Sequence, residues 1–286
     1  MSKVKIIECP RDAMQSIKEF IPTYDKIKYL QSLVDVGFDT VDIGSFVSPS
    51  VIPQLSDTNE VINKIEITNN TKLLVIVANK RGALEACKYS KISYLGYPFS
   101  ISENFQMRNT NKTIKESGTV LMNIKNICVQ NRKELVVYLS MGFGNPYGDP
   151  WSLEIVEKWI SYLADMGIRT ISLSDTVGSA DINSIGKIFK CLSDKYKNIE
   201  FGVHLHTNPN FWYDKVKTAY DAGCRRFDGA IKGFGGCPMA SDKLIGNMPT
   251  EKLVSFVIDN NLKTSINYDF FNKAYSTSLD IFDRYK

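Results

Sequence analysis

The chain has 286 residues, 43% of them hydrophobic, which is enough for one large core, and α/β barrels of about 250 residues or more form as one domain. Its 35 basic and 31 acidic side chains are interspersed and leave a net charge of +4, so there is no footprint for a nucleic-acid or membrane partner. No apolar run approaches the ~18 residues of a membrane span or resembles a secretory leader, and the six scattered cysteines form no C-x-x-C pair. They read as reduced thiols, and a cytoplasmic protein is expected.

Apolar runs rich in Val and Ile alternate along the chain with longer segments of helical periodicity. The strand candidates are 4–9, 40–45, 73–78, 92–98, 135–141, 170–174, 201–206 and 226–230. Helix candidates follow at 23–36, 56–65, 80–89, 112–131, 151–166, 181–195, 210–222 and 250–260. Eight such pairs predict a closed parallel (β/α)₈ TIM barrel. Three strands follow a Gly-containing turn, in DVGFDTVDI, DMGIRTISL and DAGCRRFDG, where Gly ends the preceding helix in a left-handed backbone. The structural competitor is a doubly wound open sheet, but no G-x-G-x-x-G follows the first strand. From 266 to about 283, aromatic and aliphatic residues recur at helical spacing. They predict a terminal helix that covers one end of the barrel or meets another subunit.

In such barrels the chemistry collects at the C-terminal ends of the strands. FGVHLHTN carries His204 and His206, the only two histidines of the chain, two residues apart and therefore on one face of a strand. Paired imidazoles there suit a metal ion; one core and one surface histidine, each satisfied locally, is the other reading. ECPRDAMQ places Arg11 and Asp12 at the mouth of the first strand. Asp12 can add an oxygen ligand and Arg11 can stabilise an oxyanion, unless the two form an ordinary surface pair. KGFGGCPMASDKLIGN holds Cys237 among turn residues and then Asn247, whose carbonyl oxygen can bind a hard cation; its glycines permit a tight, mobile backbone, while most cysteines in such loops are inert. Asp42 in TVDIGSF and Asp175 in SLSDTVG are further strand-end carboxylates, catalytic or structural.

Together these motifs resemble those of the 3-hydroxy-3-methylglutaryl-CoA (HMG-CoA) lyases. PRDAMQ is similar to the family's P-R-D-G-L-Q, and GSFVSPSVIPQLSD to its S-F-V-S-P segment. YPFSISENFQMRNTNKTIKES, ISLSDTVG, GVHLH, GFGGCPMA and GNMPTEKLV follow in the family's order, so that the resemblance spans residues 5–262. It implies metal ligands at Asp12, His204, His206 and Asn247, with Mg²⁺ or Mn²⁺ as the cation and a CoA thioester as the substrate. It further implies Arg11 at the thioester carbonyl, Cys237 as a catalytic thiol on a closing loop, Asp42 and Asp175 as supporting carboxylates, and Ser45 near the substrate. A homodimer and a place in leucine degradation are the family's usual setting. The alternatives are a lyase or synthase acting on another 3-hydroxy-acyl-CoA or oxo acid, and a non-catalytic barrel that binds CoA esters. Four positions depart from the family pattern: Ala13 for Gly, Asp42 for Glu, Asn145 for Cys and Thr207 for Asp. The last removes an expected partner behind the histidines.

Overall fold

The computed structural model describes residues 3–208, 210–236 and 245–285. Eight parallel strands close into a barrel in sequence order: β1 Lys5–Glu8, β2 Thr40–Ser45, β3 Lys72–Ile76, β4 Ile92–Ser100, β5 Glu134–Ser140, β6 Thr170–Asp175, β7 Glu200–Leu205 and β8 Arg226–Gly229. The last strand pairs with the first, Lys5 opposite Arg226 and Glu8 opposite Gly229. The fold is a TIM barrel, and each predicted strand lies within two residues of the observed one.

The helices are α1 Pro10–Met14, α2 Thr23–Asp35, α3 Thr58–Lys64, α4 Lys80–Cys87, α5 Glu103–Thr110, α6 Ile114–Gln130, α7 Leu153–Asp165, α8 Ile182–Lys195, α9 Trp212–Asp221, α10 Thr250–Asp259 and α11 Tyr268–Arg284. Short polar residues fix many of their starts. Asn79, Ser102, Thr113, Ser152, Asp181 and Asn267 each accept a hydrogen bond from a first-turn N–H, a contribution of about 1 kcal/mol apiece.

Two helices have no counterpart among the expected elements. The first, α1, is one turn long and starts at Pro10, whose fixed φ suits a first helical position. The other, α5, reads ENFQMRNT. That run has no apolar stripe for periodicity to detect.

Apolar side chains form two cores. The larger lies between the strands and the helix ring, and the smaller, made of Leu74, Ile76, Tyr94, Val136 and Tyr138, fills the barrel interior. Strand alternation decides which is which. On β6 through β8 the inward set includes Ser172 and Ser174, Gly202 and His204, and Arg226 and Asp228: Ser172 donates to Asp228 across the interior, and His204 stands directly opposite Asp228.

The terminal helix does not cap an end of the barrel. It lies along α2, where Phe271 meets Phe38 and Phe282 meets Tyr29 edge-on at 6.3 and 6.0 Å. Its first turn is tied to Val36 and its end to Asp25 through the Tyr285 hydroxyl. At that end Phe282 stacks at 4.1 Å on Phe234, which belongs to the loop after β8.

Candidate active site

At the C-terminal mouth, β7 carries His204 and His206 inward with their rings 5.3 Å apart. The helix α1 brings Asp12 to them, and one ligand atom from each of the three lies within 4.8 Å of the other two. Asn247 pairs with His206 in an isolated antiparallel bridge and is thereby set beside the same cluster. Its amide nitrogen donates to Asp12 Oδ2 at 2.7 Å and to the Phe234 carbonyl at 2.8 Å. Its Oδ1 is buried and has no partner among the described residues. A buried carbonyl oxygen without a donor is costly unless something satisfies it.

The histidines are oriented for the same purpose. His206 Nδ1 faces the Ile245 carbonyl at 2.9 Å, a contact that only a ring N–H satisfies, so Nε2 keeps its lone pair. His204 Nδ1 faces Asp228 at 3.3 Å, with the same consequence. Two imidazole nitrogens and a carboxylate thus converge as acceptors, with Asn247 and its unpartnered oxygen adjoining Asp12, a set that fits a divalent cation of hard or borderline character. Burial, followed by the neighbouring His204, pushes His206 down to about 4, which keeps it neutral and able to bind metal. Burial opposes the Asp12 carboxylate, but Arg11 and the two histidines outweigh it and hold Asp12 below its ordinary range. At the departing position Thr207 donates its hydroxyl to the Asn208 carbonyl, and the partner of His206 Nδ1 is the Ile245 main-chain carbonyl.

Arg11 is clamped in a fixed pose. Nε donates to Asp42 Oδ2 at 2.9 Å, with Nη2 ion-paired to the same oxygen at 2.7 Å, and Nη1 donates to Asp12 Oδ1 at 2.9 Å and to Gln15 at 3.0 Å. Burial disfavours its charge, but Asp42 and Asp12 prevail and raise its pKa. Burial pushes Asp42 up to about 6 in spite of Arg11.

A cavity of about 590 Å³ opens above these groups. Of the residues singled out in the sequence, Arg11, Asp12, Ser45, His204 and His206 line it. Asp42 is wholly buried behind Arg11, and Asn247 behind Asp12. Ser45 donates to the Ile76 carbonyl and accepts from Val47 N–H, so its hydroxyl is partly spent on the strand end. Asp175 does not face the cavity. It falls between inward Ser174 and Thr176, and its carboxylate instead accepts from Ala180 N–H at 3.1 Å and lies 3.9 Å from Lys215. Cys237 lies outside the described residues. The loop leading to it passes α1 so closely that a Cβ on Gly235 would come within 2.6 Å of the Asp12 carbonyl and 2.8 Å of Ala13 Cα, at φ +86; only glycine fits there.

The sequence reading missed Gln15, Tyr138 and Asp228. Gln15 shares Asp12 Oδ1 with Arg11, and Tyr138 stands edge-on to His204 at 5.9 Å. Strand alternation from Arg226 inward would have found Asp228.

Comparison with known proteins gives the family and agrees with the fold. The HMGL-like family profile matches residues 3–277. The hydroxymethylglutaryl-CoA lyase YngG of Bacillus subtilis is 31% identical over 265 residues, covering 92% of this chain and 88% of that protein. The cytoplasmic 3-hydroxy-3-methylglutaryl-CoA lyase of Homo sapiens is 30% identical over 97% of this chain and 76% of its own. Among solved structures, an HMG-CoA lyase from Acinetobacter baumannii in complex with coenzyme A and 3-methylmalate superposes with a TM-score of 0.89 at 29% identity, covering 98% of this chain and 91% of that one. The described chain, with its barrel and its acceptor cluster at the mouth, belongs to the HMGL-like family.

Proposed function

We propose that this protein is a carbon–carbon lyase that cleaves 3-hydroxy-3-methylglutaryl-CoA to acetoacetate and acetyl-CoA. The observation that carries the reading is the cluster of Asp12, His204 and His206 in the wall of a cavity also lined by Arg11, with Asn247 and its unpartnered oxygen buried behind Asp12. Family membership and the activity named for the relatives support it. Asp12, His204, His206 and Asn247 would hold the cation, which we take to be Mg²⁺ or Mn²⁺ from the oxygen-and-imidazole donor set. Bound there, it supplies Lewis acidity toward oxygens of the substrate.

The chain's own groups account for the proton and the charge. The tertiary hydroxyl must lose its proton; with the free nitrogens of His204 and His206 given to the cation, Asp12, whose carboxylate keeps further lone pairs, is the cavity-lining group placed to receive it. As the ketone forms, the C–C bond breaks and its electron pair passes to the thioester as an enolate. Arg11, immobilised by Asp42, Asp12 and Gln15, presents a cation where that charge develops. Stabilisation of this kind needs no reorganisation during the step and is worth most in a site closed to water. The enolate carbon then takes a proton, the role assigned to Cys237 or to a water it positions. Asp42 fixes the guanidinium and Asp175 braces the loop after β6 through Ala180 and Lys215; both serve as supports. Ser45 and the apolar wall formed by Val47, Ile76 and Pro98 border the acyl group.

No helix among the described residues is long and apolar enough to cross a membrane, and the five described cysteines are free thiols. By analogy with the family we assign the protein to the cytoplasm, as a homodimer in leucine breakdown. The deciding experiment is turnover of HMG-CoA by purified protein, metal-stripped and then reloaded with Mg²⁺ or Mn²⁺. Metal-dependent release of acetoacetate is expected. A folded, metal-loaded protein that turns over citramalyl-CoA but not HMG-CoA would redirect the assignment, and one that turns over neither would end it.

A further inference from the structure

Behind the cluster lies a group to which the proposed reaction gives no role. Asp228, on β8, is wholly inside the barrel, with its side chain at 0% exposure. It stands directly across the ladder from His204, and one of its oxygens lies 3.3 Å from His204 Nδ1. The same oxygen accepts from the Ser172 hydroxyl at 3.1 Å. Strands β6, β7 and β8 thus each contribute one inward residue to a single chain running from Ser172 through Asp228 to His204.

We infer that Asp228 is a positioning residue for the metal centre, holding His204 in the tautomer and rotation that aim Nε2 at Asp12 and His206. The inference rests on the metal assignment made above. An imidazole has one proton and two nitrogens when neutral, and the partner of one nitrogen decides what the other can do. A carboxylate at Nδ1 accepts only, so it fixes the proton on Nδ1 and leaves the Nε2 lone pair free. Its charge also makes the ring a better donor. Tyr138 closes the other side, meeting the His204 ring edge-on at 82°. The ring is therefore held in place by a hydrogen bond and a packed aromatic edge.

The two histidines are secured differently. His206 relies on the neutral Ile245 carbonyl, whereas His204 relies on a buried charge. The geometry admits one rival. Cys9 lies close enough to His204 and Asp228 that the three could grip an ion among themselves, which would make Asp228 a ligand.

Mn²⁺ binding, read by the loss of the free-ion paramagnetic resonance signal, separates these ideas without relying on turnover. Wild type, His204→Ala, Asp228→Ala and Asp228→Asn are compared, each checked for native circular dichroism. His204→Ala should abolish tight binding; if it binds like wild type, the metal assignment itself fails, whatever Asp228 does. Asp228→Ala should weaken Mn²⁺ about 10- to 100-fold. Asp228→Asn keeps an acceptor oxygen and the shape but not the charge, and should fall between the two. It also serves if the alanine variant does not fold. Wild-type affinity in Asp228→Asn, or in a folded Asp228→Ala, overturns the inference. So does a Cd²⁺ thiolate absorption band that disappears in Cys9→Ser, because it would show Asp228 and Cys9 gripping a second ion.

Discussion

The two ends of the barrel interior are both charged, yet in opposite senses. At the C-terminal mouth the buried atoms without a partner among the described residues include the acceptors Asn247 Oδ1 and Asp42 Oδ1, next to the imidazole nitrogens of His204 and His206 that face away from their Nδ1 partners. Toward the N-terminal end they are donors. Arg226 is wholly buried, and none of its three guanidinium nitrogens has a hydrogen-bond partner among the described residues. Glu200 stands 3.8 Å away and is engaged by Lys5 at 2.5 Å, while Lys72 donates to the Tyr94 hydroxyl at 3.0 Å. The mouth opens to a cavity and converges on one point, whereas the opposite end is a dispersed set of cations over an aromatic ring. An acceptor set of that kind suits a cation, while the far end packs and orders strands. Changes at the mouth should therefore cost activity out of proportion to stability, and changes at the far end should do the reverse.

The sharpest test is His206→Ala. It removes one nitrogen from the acceptor set and leaves the Ile245 carbonyl facing the space. Metal-assisted charge stabilisation is worth several kcal/mol, so kcat should fall by about 10³-fold or more, with a small change in the thermal midpoint. A loss of midpoint large enough to account for the activity would remove the distinction between the two ends. Next comes Arg11→Met. Losing the donor at the developing enolate should lower kcat by about 10²- to 10³-fold. This variant also strands Asp42, whose only hydrogen-bonding partner among the described residues is Arg11, and breaking a buried pair from one side costs about 3–5 kcal/mol. The double variant Arg11→Met with Asp42→Asn separates the effects. It should recover much of the stability and none of the turnover. If turnover returns with stability, Arg11 serves only to neutralise Asp42.

Much of this arrangement is legible in the sequence, for reasons that also explain what is not. Strands such as LVVYLS are short runs of apolar and β-branched residues buried on both sides and ended by turn residues, so their limits show directly. The mouth residues His204, His206, Asp12 and Asn247 stand out because few other roles gather those types at strand ends. The helix α5 is hidden because what holds it is not local: Ser102, its N-cap, donates to Asp149, 47 residues away. Which way Asp175 faces is not legible from its motif, because a single step of strand parity turns this carboxylate, one residue after cavity-lining Ser174, outward to Lys215. Asp228 was overlooked because its meaning lies across the ladder in His204, 24 residues earlier, and not in any motif around it.

Buried acceptors are not all reserved for a ligand, and Glu8 shows the contrast. It points outward from β1, accepts from Ile231 N–H at 3.0 Å and from Thr250 at 2.5 Å, and so pins the chain after β8 to the start of α10. Burial pushes its pKa from the usual 4.5 up to about 8. Between those values the folded protein holds a proton that the unfolded chain has lost, so stability should fall as pH rises from about 4.5 to 8 and level off above. Glu8→Gln mimics the protonated acid and removes this dependence. Relative to wild type its thermal midpoint should climb across that window, with a gain on the order of a few kcal/mol at the upper end. A difference between the two proteins that stays constant with pH would show that Glu8 is ionised in the fold.

The smallest effect expected is at the far end, where Gly202 makes room for Arg226. A Cβ there would meet the Arg226 stem at 2.8 Å from Cδ and 2.9 Å from Cγ. Gly202→Ala should force the guanidinium aside and cost about 1–3 kcal/mol, the usual penalty for overpacking. Although Gly202 is only two residues from His204 on the same strand face, the displaced group lies toward Glu200 and away from the cavity. Mn²⁺ affinity should thus stay within about threefold of wild type, well under the 1.4 kcal/mol that a tenfold change represents, while the denaturant midpoint falls. If affinity drops as steeply as stability, Arg226 is coupled through Asp228 to His204. The two ends of the barrel would then form one electrostatic system rather than two.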